Sequence, residues 1–275
     1  MLQPYRDLVR LTRKEVVLAE NASWLFRVAP YAIFASTWVA AALVPTFSTG
    51  LMFNWAVDLI AIVALLGTAR FFLGLAAMDV GTAFGGIGAS REAMIASLAE
   101  PAMLMIAFTV ALLAGTSRLS GIAEYLAHGN VGLRVSLALS LIALVMVAIA
   151  ENARIPIDNP ATHLELTMIH EAMLLEYSAR HLALIEWAAA LKLFNYSCIG
   201  LALFFPFGIA AGDGDWPAFA LAVPILVAKL AAGGFALALI ETLSAKMRIF
   251  RAPEFLGTAF LLAVLAMLVH LLLGS

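Results

Sequence analysis

The chain has 275 residues, of which 64% are hydrophobic and only 12% charged, with a mean hydropathy of +1.00. That balance excludes a soluble globular domain of this length and marks a polytopic membrane protein. A formal net charge of −2 with no basic tail carries no nucleic-acid signature, and the single cysteine, Cys198 in an apolar run, excludes an internal disulfide, a zinc cluster or iron–sulfur ligation.

Residues 1–27 are amphipathic and basic: Tyr5, Leu8, Val9, Leu11 and Val16 are interleaved with Arg6, Arg10, Arg13 and Lys14. The pattern predicts a helix lying in the membrane interface, with a solvated helical lead-in as the alternative. Seven apolar runs follow, at Val28–Phe47, Phe53–Met78, Ala93–Gly115, Leu133–Glu151, Leu182–Ile209, Trp216–Leu243 and Phe255–Leu273. Each approaches the ~20 residues that cross a bilayer. Because the runs are continuous rather than alternating, and backbone polar groups in hydrocarbon must be satisfied within a segment, the spans are helices. The fold class is therefore all-α: a bundle of about seven transmembrane helices over 28–275, preceded by the interfacial segment.

Basic residues set the orientation. Eleven of them fall in the N-terminal segment and the connections 79–92, 152–181 and 244–254, against only Arg118 and Arg134 on the other side. The N-terminus and segment 152–181 are thus expected at the cytoplasm. Glycines 81, 85, 86 and 88 lack the strand and the Gly-Lys-Thr of a phosphate loop, and predict a close helix approach or a cytoplasmic turn.

The stretch Glu151–Ser178 is the polar exception, with five carboxylates, two histidines and two prolines. Leucine, methionine and isoleucine interleave its charges, so it is expected to pack. Read as a helix from Ala161 onward, it puts Glu165 and Glu176 nearly on one face. Crowded carboxylates at a partly dry site repel, which favours holding a proton there. His170-Glu171 opens a zinc-protease pattern, but Leu174 stands where the second histidine belongs.

Inside or near the spans lie three cations, Arg70, Lys192 and Lys229, and five acids, Asp58, Glu100, Glu151, Glu186 and Glu241. Each costs about 2.5–3.5 kcal/mol or more at mid-membrane. The set predicts a chain of titratable groups crossing part of the bilayer; the rival reading is pairwise structural neutralisation or snorkelling.

Glu151-x-x-Arg154-x-Pro156-x-Asp158-x-Pro160 and Glu176-Tyr177-Ser178 resemble the membrane subunit that floors the quinone chamber of respiratory complex I. The stretches Gln3–Asp7, Ile87–Met94 and Asp158–Glu171 bring the chain nearer to that subunit's counterpart in formate hydrogenlyase and membrane-bound NiFe hydrogenases. The resemblance implies a subunit that anchors a peripheral arm, made of hydrogenase large and small subunits, and starts a polar path toward antiporter-like membrane subunits. It implies a multi-pass protein of the cell (inner) membrane. The iron–sulfur clusters and NiFe site would lie in the partners, with no catalytic metal and no bound cofactor in this chain. By motif match Glu151, Arg154, Asp158, Glu165 and Glu176 fall on the family's polar funnel, Glu100 on the following span, and Glu241 with Lys246 and Arg248 on the end of the penultimate span. The full candidate proton-transfer set is Glu100, Glu151, Asp158, Glu165, Glu171, Glu176, Glu186, Lys192, Lys229 and Glu241, with Asp79, Arg91, Arg154 and His163 as docking or charge partners.

Two departures qualify the resemblance. Family members have a span before the stretch matching Gln3–Asp7, where this chain begins, so either the chain is shortened or its start is misassigned. The complex I pattern also has carboxylates where this chain has Ala161 and His163, which argues against a quinone pocket. A quinone-chamber subunit and a purely structural anchor remain the alternatives to a coupling subunit. A stand-alone transporter is disfavoured by the lack of a visible repeat.

Overall fold

A computed structural model describes residues 3–50, 58–128, 134–158, 169–210, 216–245, 247 and 249–273. These residues form the helices α1 (Gln3–Thr12), α2 (Trp24–Leu43), α3 (Leu59–Asp79), α4 (Ala83–Ala114), α5 (Leu119–His128), α6 (Val135–Glu151), α7 (His170–Leu174), α8 (Ala179–Phe204), α9 (Trp216–Leu243) and α10 (Ala252–Leu273). Among the described residues there is no strand beyond isolated bridges, and the chain is an all-α membrane bundle. Six helices, α2, α3, α4, α8, α9 and α10, are long and apolar enough to cross a membrane.

The seventh run differs: α6 has only 17 residues, about 25 Å at 1.5 Å per residue. It ends at Glu151, whose side chain is buried inside the bundle. The opposite departure occurs at α4. The Gly85–Gly88 stretch, one of whose expected forms was a turn, is helical, so α4 reaches 32 residues, about 48 Å, against roughly 30 Å of hydrocarbon. Thr82 caps it, accepting the Gly85 N–H at 3.3 Å. The glycines allow close approach: a Cβ on Gly85 would collide with the Ala77 carbonyl oxygen, and one on Gly88 would stand 2.9 Å from Met173 Cγ and 3.0 Å from the Ile169 carbonyl oxygen.

α3 begins six residues later than its apolar run because Asp58 caps it, accepting the Ile60 N–H at 2.9 Å and the Ser117 hydroxyl at 2.9 Å. Asp58 is thus a helix cap, not a member of a buried chain. The helix α1 is shorter than the amphipathic segment, ending at Thr12, and none of its residues is buried.

A continuous helix from Ala161 onward through Glu176 is interrupted among the described residues, at Ile169 and again after Leu174. Asp158 Oδ2 accepts the N–H groups of Ile169 and His170, each at 3.3 Å, so α7 starts at His170. It ends after Leu174 in a turn, and Ala179 opens α8 with φ +50. Local pattern favours one helix, but the tertiary hydrogen bonds of Asp158 break it.

The core lies between α4, α6 and α10, with Ile95, Met103, Ile106, Val147, Leu256 and Ala263 fully or almost fully buried. A second cluster, including Phe26, Ile33, Leu73, Met173, Tyr177 and Ile185, joins α2, α3, α7 and α8. One contact there repairs a backbone defect. Pro30 in α2 has no N–H to give the Phe26 carbonyl four residues back. The Tyr177 hydroxyl donates to that carbonyl at 3.1 Å, with the two rings stacked 4.0 Å apart.

Candidate functional site

The site is built where α3, α4, α6 and α8 meet. Arg70 on α3 is its centre. Its Nη2 pairs with Glu151 Oε2 on α6, its Nε lies 3.3 Å from Glu92 Oε1, and its Nη1 lies 3.6 Å from Glu100 Oε1, both on α4. Lys192 on α8 completes the group, with Nζ 3.0 Å from Glu151 Oε2 and donating to the Glu151 backbone carbonyl at 2.6 Å. That carbonyl belongs to the last turn of α6, where the helix end favours a cation. The C-terminus of α6 therefore supplies both an acid and a helix terminus to the interior.

The guanidinium geometry explains the choice of arginine. Its fixed fork of donors addresses three carboxylates at once, which a point-charge ammonium cannot do. Glu92 and Glu100 are eight residues apart on α4, an axial rise of about 12 Å, and Arg70 bridges them. The group counts three carboxylates against two cations; the charge it lacks for neutrality is that of one proton. Glu151 and Arg70 side chains are only 1% and 5% exposed, whereas Glu100 is 45% exposed on the flank of the bundle.

Above this group a cavity of about 650 Å³ opens at the end that carries α1 and α7. Its lining includes Glu151 and Lys192 at the floor, Asp158, His170 and Glu171 on the α7 side, and Glu186 on α8. Leu174, Leu175, Leu182 and Leu193 make apolar walls. Leu175 and Glu186 are exposed at the rim. A smaller space of about 30 Å³ lies against Arg70, Glu92, His170 and Lys192. His170 is held below its ordinary value of 6.5, first by burial; Glu92 and Asp158 pull it back up, and Lys192 and Arg70 push it further down. Burial also raises the Tyr177 hydroxyl, and Asp79 adds to the shift.

The candidate residues separate into groups. Glu100, Glu151 and Lys192 belong to the buried cluster. Asp158, Glu171 and Glu186 line the cavity, as does Arg154, whose Nη1 is 3.6 Å from Glu241 Oε1 on α9. Glu176 sits in the turn after α7 and is not among the cavity's lining residues. Asp79 closes α3 and accepts the Ser23 N–H at 2.8 Å, fastening the lead-in to α2. Arg91 is half-buried on α4 beside Glu92. Lys229 lies at the opposite end, donating to the carbonyls of Phe205, at 2.6 Å, and of Phe207, with its Nζ 4.1 Å from the Phe207 ring centroid. Glu165 and His163 lie outside the described residues, as do Lys246 and Arg248. Among the described residues no group of three or more His, Cys, Asp or Glu side chains is placed to hold a metal ion.

Sequence alone does not single out two residues central to the cluster. Arg70 reads there as one intramembrane charge among several, and Glu92 falls in a connection between spans. The signal for Glu92 is the run Gly85–Ala99, rich in small residues and free of proline, which extends a helix backward through it.

The sequence model of the NADH dehydrogenase family matches residues 1–272. The chain belongs to that family. It is 30% identical over 270 residues to formate hydrogenlyase subunit 4 of Escherichia coli K12, covering 97% of this chain and 85% of that one. It is 36% identical over 209 residues to hydrogenase-4 component C of the same organism, covering 76% of this chain and 65% of that one. A subunit of the NADH-quinone oxidoreductase of Rickettsia prowazekii matches at 28% over 187 residues, 67% of this chain and 54% of that one. A chain of the membrane-bound sulfane sulfur reductase, an archaeal respiratory membrane complex, superposes with a TM-score of 0.80 at 18% identity, covering 97% of this chain and 85% of that chain, and shares its fold. This family member is thus a multi-pass membrane protein whose relatives are subunits of membrane oxidoreductase complexes.

Proposed function

We propose that this chain is the membrane anchor and proton-coupling subunit of a membrane-bound NiFe hydrogenase or formate hydrogenlyase-like complex. It sits in the cell (inner) membrane with α1 and the 152–181 segment at the cytoplasm. A peripheral arm of hydrogenase large and small subunits docks over the cavity, and antiporter-like subunits lie along the flank. The metal centres belong to the arm, and this chain contributes charge and proton positions.

The observation that carries the reading is the Arg70–Glu92–Glu100–Glu151–Lys192 cluster under the cavity. One face of it lies at the cavity floor. Its other end, Glu100, is exposed on the membrane flank, where a bare carboxylate facing lipid would be costly and a polar neighbour is required. An electron arriving in the arm changes the field at Glu151. Two unit charges 4 Å apart interact by about 4 kcal/mol at an effective dielectric of 20, enough to redistribute protons within a coupled set. Arg70 transmits that change because it touches all three carboxylates. Asp158, Glu171 and Glu186 feed the cavity from water.

The test is Glu151→Gln and, separately, Glu100→Gln in the intact complex reconstituted into vesicles. Glu100→Gln leaves the two most buried carboxylates in place, so it guards against a misfolded Glu151 variant. Proton movement per electron should fall at least tenfold in an assembled variant. Unaltered proton movement in both would sink the proposal.

A second reading makes the cavity a quinone chamber. It is favoured by the cavity's size and leucine walls, which lie within the range of small-molecule sites, and by the kinship with the NADH-quinone oxidoreductase relative. Inhibition of turnover by quinone-site inhibitors, with quinone retained on purification, would select it over the first.

A further inference from the structure

The outer cavity and the inner space beside Arg70 and Glu92 share three lining residues: His170, Ala189 and Lys192. A proton passing from one to the other must cross at one of them. Ala189 has nothing to exchange. Lys192 has its single nitrogen committed to the Glu151 carboxylate and carbonyl, so handing a proton inward would mean breaking those two contacts. His170 alone of the three carries two nitrogens, one able to accept a proton while the other donates.

Its position is fixed from several sides. Asp158 holds the N–H groups of Ile169 and His170. Gly88 on α4 lets α7 press close, since a Cβ there would stand 3.0 Å from the Ile169 carbonyl and 3.1 Å from Ala172 Cβ. The charged groups facing the imidazole are Glu92 from α4, Arg70 from α3, Lys192 from α8 and Asp158 from the preceding segment. The inner space, about 30 Å³, holds a water at most one or two deep.

We propose that His170 is the proton-transfer gate between the solvent-fed cavity, whose floor already includes Glu151, and the inner space beside Arg70 and Glu92. This rests on the coupling reading above. The imidazole takes a proton on the nitrogen facing the outer cavity, from a water there. It releases the proton of its other nitrogen toward the Glu92 carboxylate, directly or through one water. The ring returns to neutral with its tautomer exchanged, and a ring flip or the reverse exchange resets it. One N–H bond forms and one breaks, with no electrons transferred. Burial favours the neutral imidazole, in which one ring nitrogen is an acceptor.

The experiment is His170→Ala in the complete complex in vesicles, with and without millimolar 4-methylimidazole. The vacated volume joins the outer cavity, so the small base can enter. Proton movement should drop at least tenfold and recover several-fold with 4-methylimidazole but not with 2-methylthiophene, which has a similar shape and no nitrogen. His170→Gln, which keeps hydrogen bonding without proton exchange, should show the same loss, and it decides the matter if the alanine variant fails to assemble. Full proton movement in either variant, loss that the base does not restore, or failure of both variants to assemble would each overturn the gate. Glu151→Gln measured alongside separates the two claims: if it abolishes proton movement while His170→Gln does not, only the gate fails. If neither changes it, the coupling reading fails as well.

Discussion

Lys192 and Lys229 look alike in sequence, each the one lysine of a long apolar helix, yet the fold gives them opposite surroundings. Lys192 meets a carboxylate at 3.0 Å within a five-member ionic cluster. Lys229 meets backbone carbonyls just past the end of α8 and an aromatic face. Among the described residues it has no carboxylate at ion-pair distance. A cation at a helix C-terminus gains about 0.3–1 kcal/mol, and the ring contact adds about 0.5–2 kcal/mol. That is enough to fasten α9, of whose described residues only Ala222 is buried, but it offers no second titratable group to pass a proton to. An intramembrane charge therefore reports function only through its neighbours.

The largest way to break this contrast is at Arg70. Removing it leaves Glu92, Glu100 and Glu151 facing one another with only Lys192 to offset them. Losing one partner of a buried ion pair costs about 3–5 kcal/mol, and three pairs share this one. Arg70→Met should abolish accumulation of the assembled complex in membranes, read by native gel. Normal assembly would mean that the cluster is not held by Arg70.

The lysines give the sharper comparison. Lys192→Met, if the complex assembles, should cut proton movement at least tenfold. Lys229→Met should leave it within about twofold of normal and instead lower the detergent melting temperature by a few degrees. Equal effects on proton movement would erase the distinction drawn between the two ends of the molecule.

Much of this architecture is legible in the sequence. Continuous apolar runs define α2, α8, α9 and α10 to within a few residues, because hydrocarbon requires length and hydrophobicity and little else. The acids Glu100 and Glu151 and the lysine Lys192 are identifiable because charge is rare in such runs. The centre is harder to see. Arg70 gains its meaning from carboxylates 22, 30 and 81 positions away, which no local period encodes. Glu92 is hidden because glycines that suggest a turn serve here for close packing against Ala77 and α7. The single helix predicted from Ala161 through Glu176 is interrupted at Ile169, where Asp158 captures two backbone N–H groups, a tertiary choice that overrides periodicity. Residues 159–168, which carry Glu165 and His163, lie outside the described part.

A smaller effect isolates the contact between α2 and the segment joining α7 to α8. Tyr177→Phe keeps the stacked ring but leaves the Phe26 carbonyl without the donor that Pro30 cannot supply. A buried acceptor left unsatisfied costs about 1–3 kcal/mol. Stability should fall by that amount while proton movement per electron stays unchanged, because Tyr177 borders the cavity without joining the ion cluster.

The finest distinction is one of pH. The native fold holds His170 below its ordinary value of 6.5. Between the lowered native value and 6.5 the unfolded chain therefore binds more protons than the native one, and stability rises with pH across that window. The contribution is complete above about 6.5 and is lost as pH falls through the native value, when a charged imidazole must be accommodated beside Arg70 and Lys192. Backbone hydrogen exchange in α7 should accelerate from about pH 7 to about pH 5 relative to α10, whose buried residues are all alanine or leucine. His170→Gln should flatten that difference. If α7 and α10 loosen in parallel in the wild-type protein, the half-buried imidazole is not what makes the cavity wall sensitive to acid, and the acidic cluster beneath it becomes the better explanation.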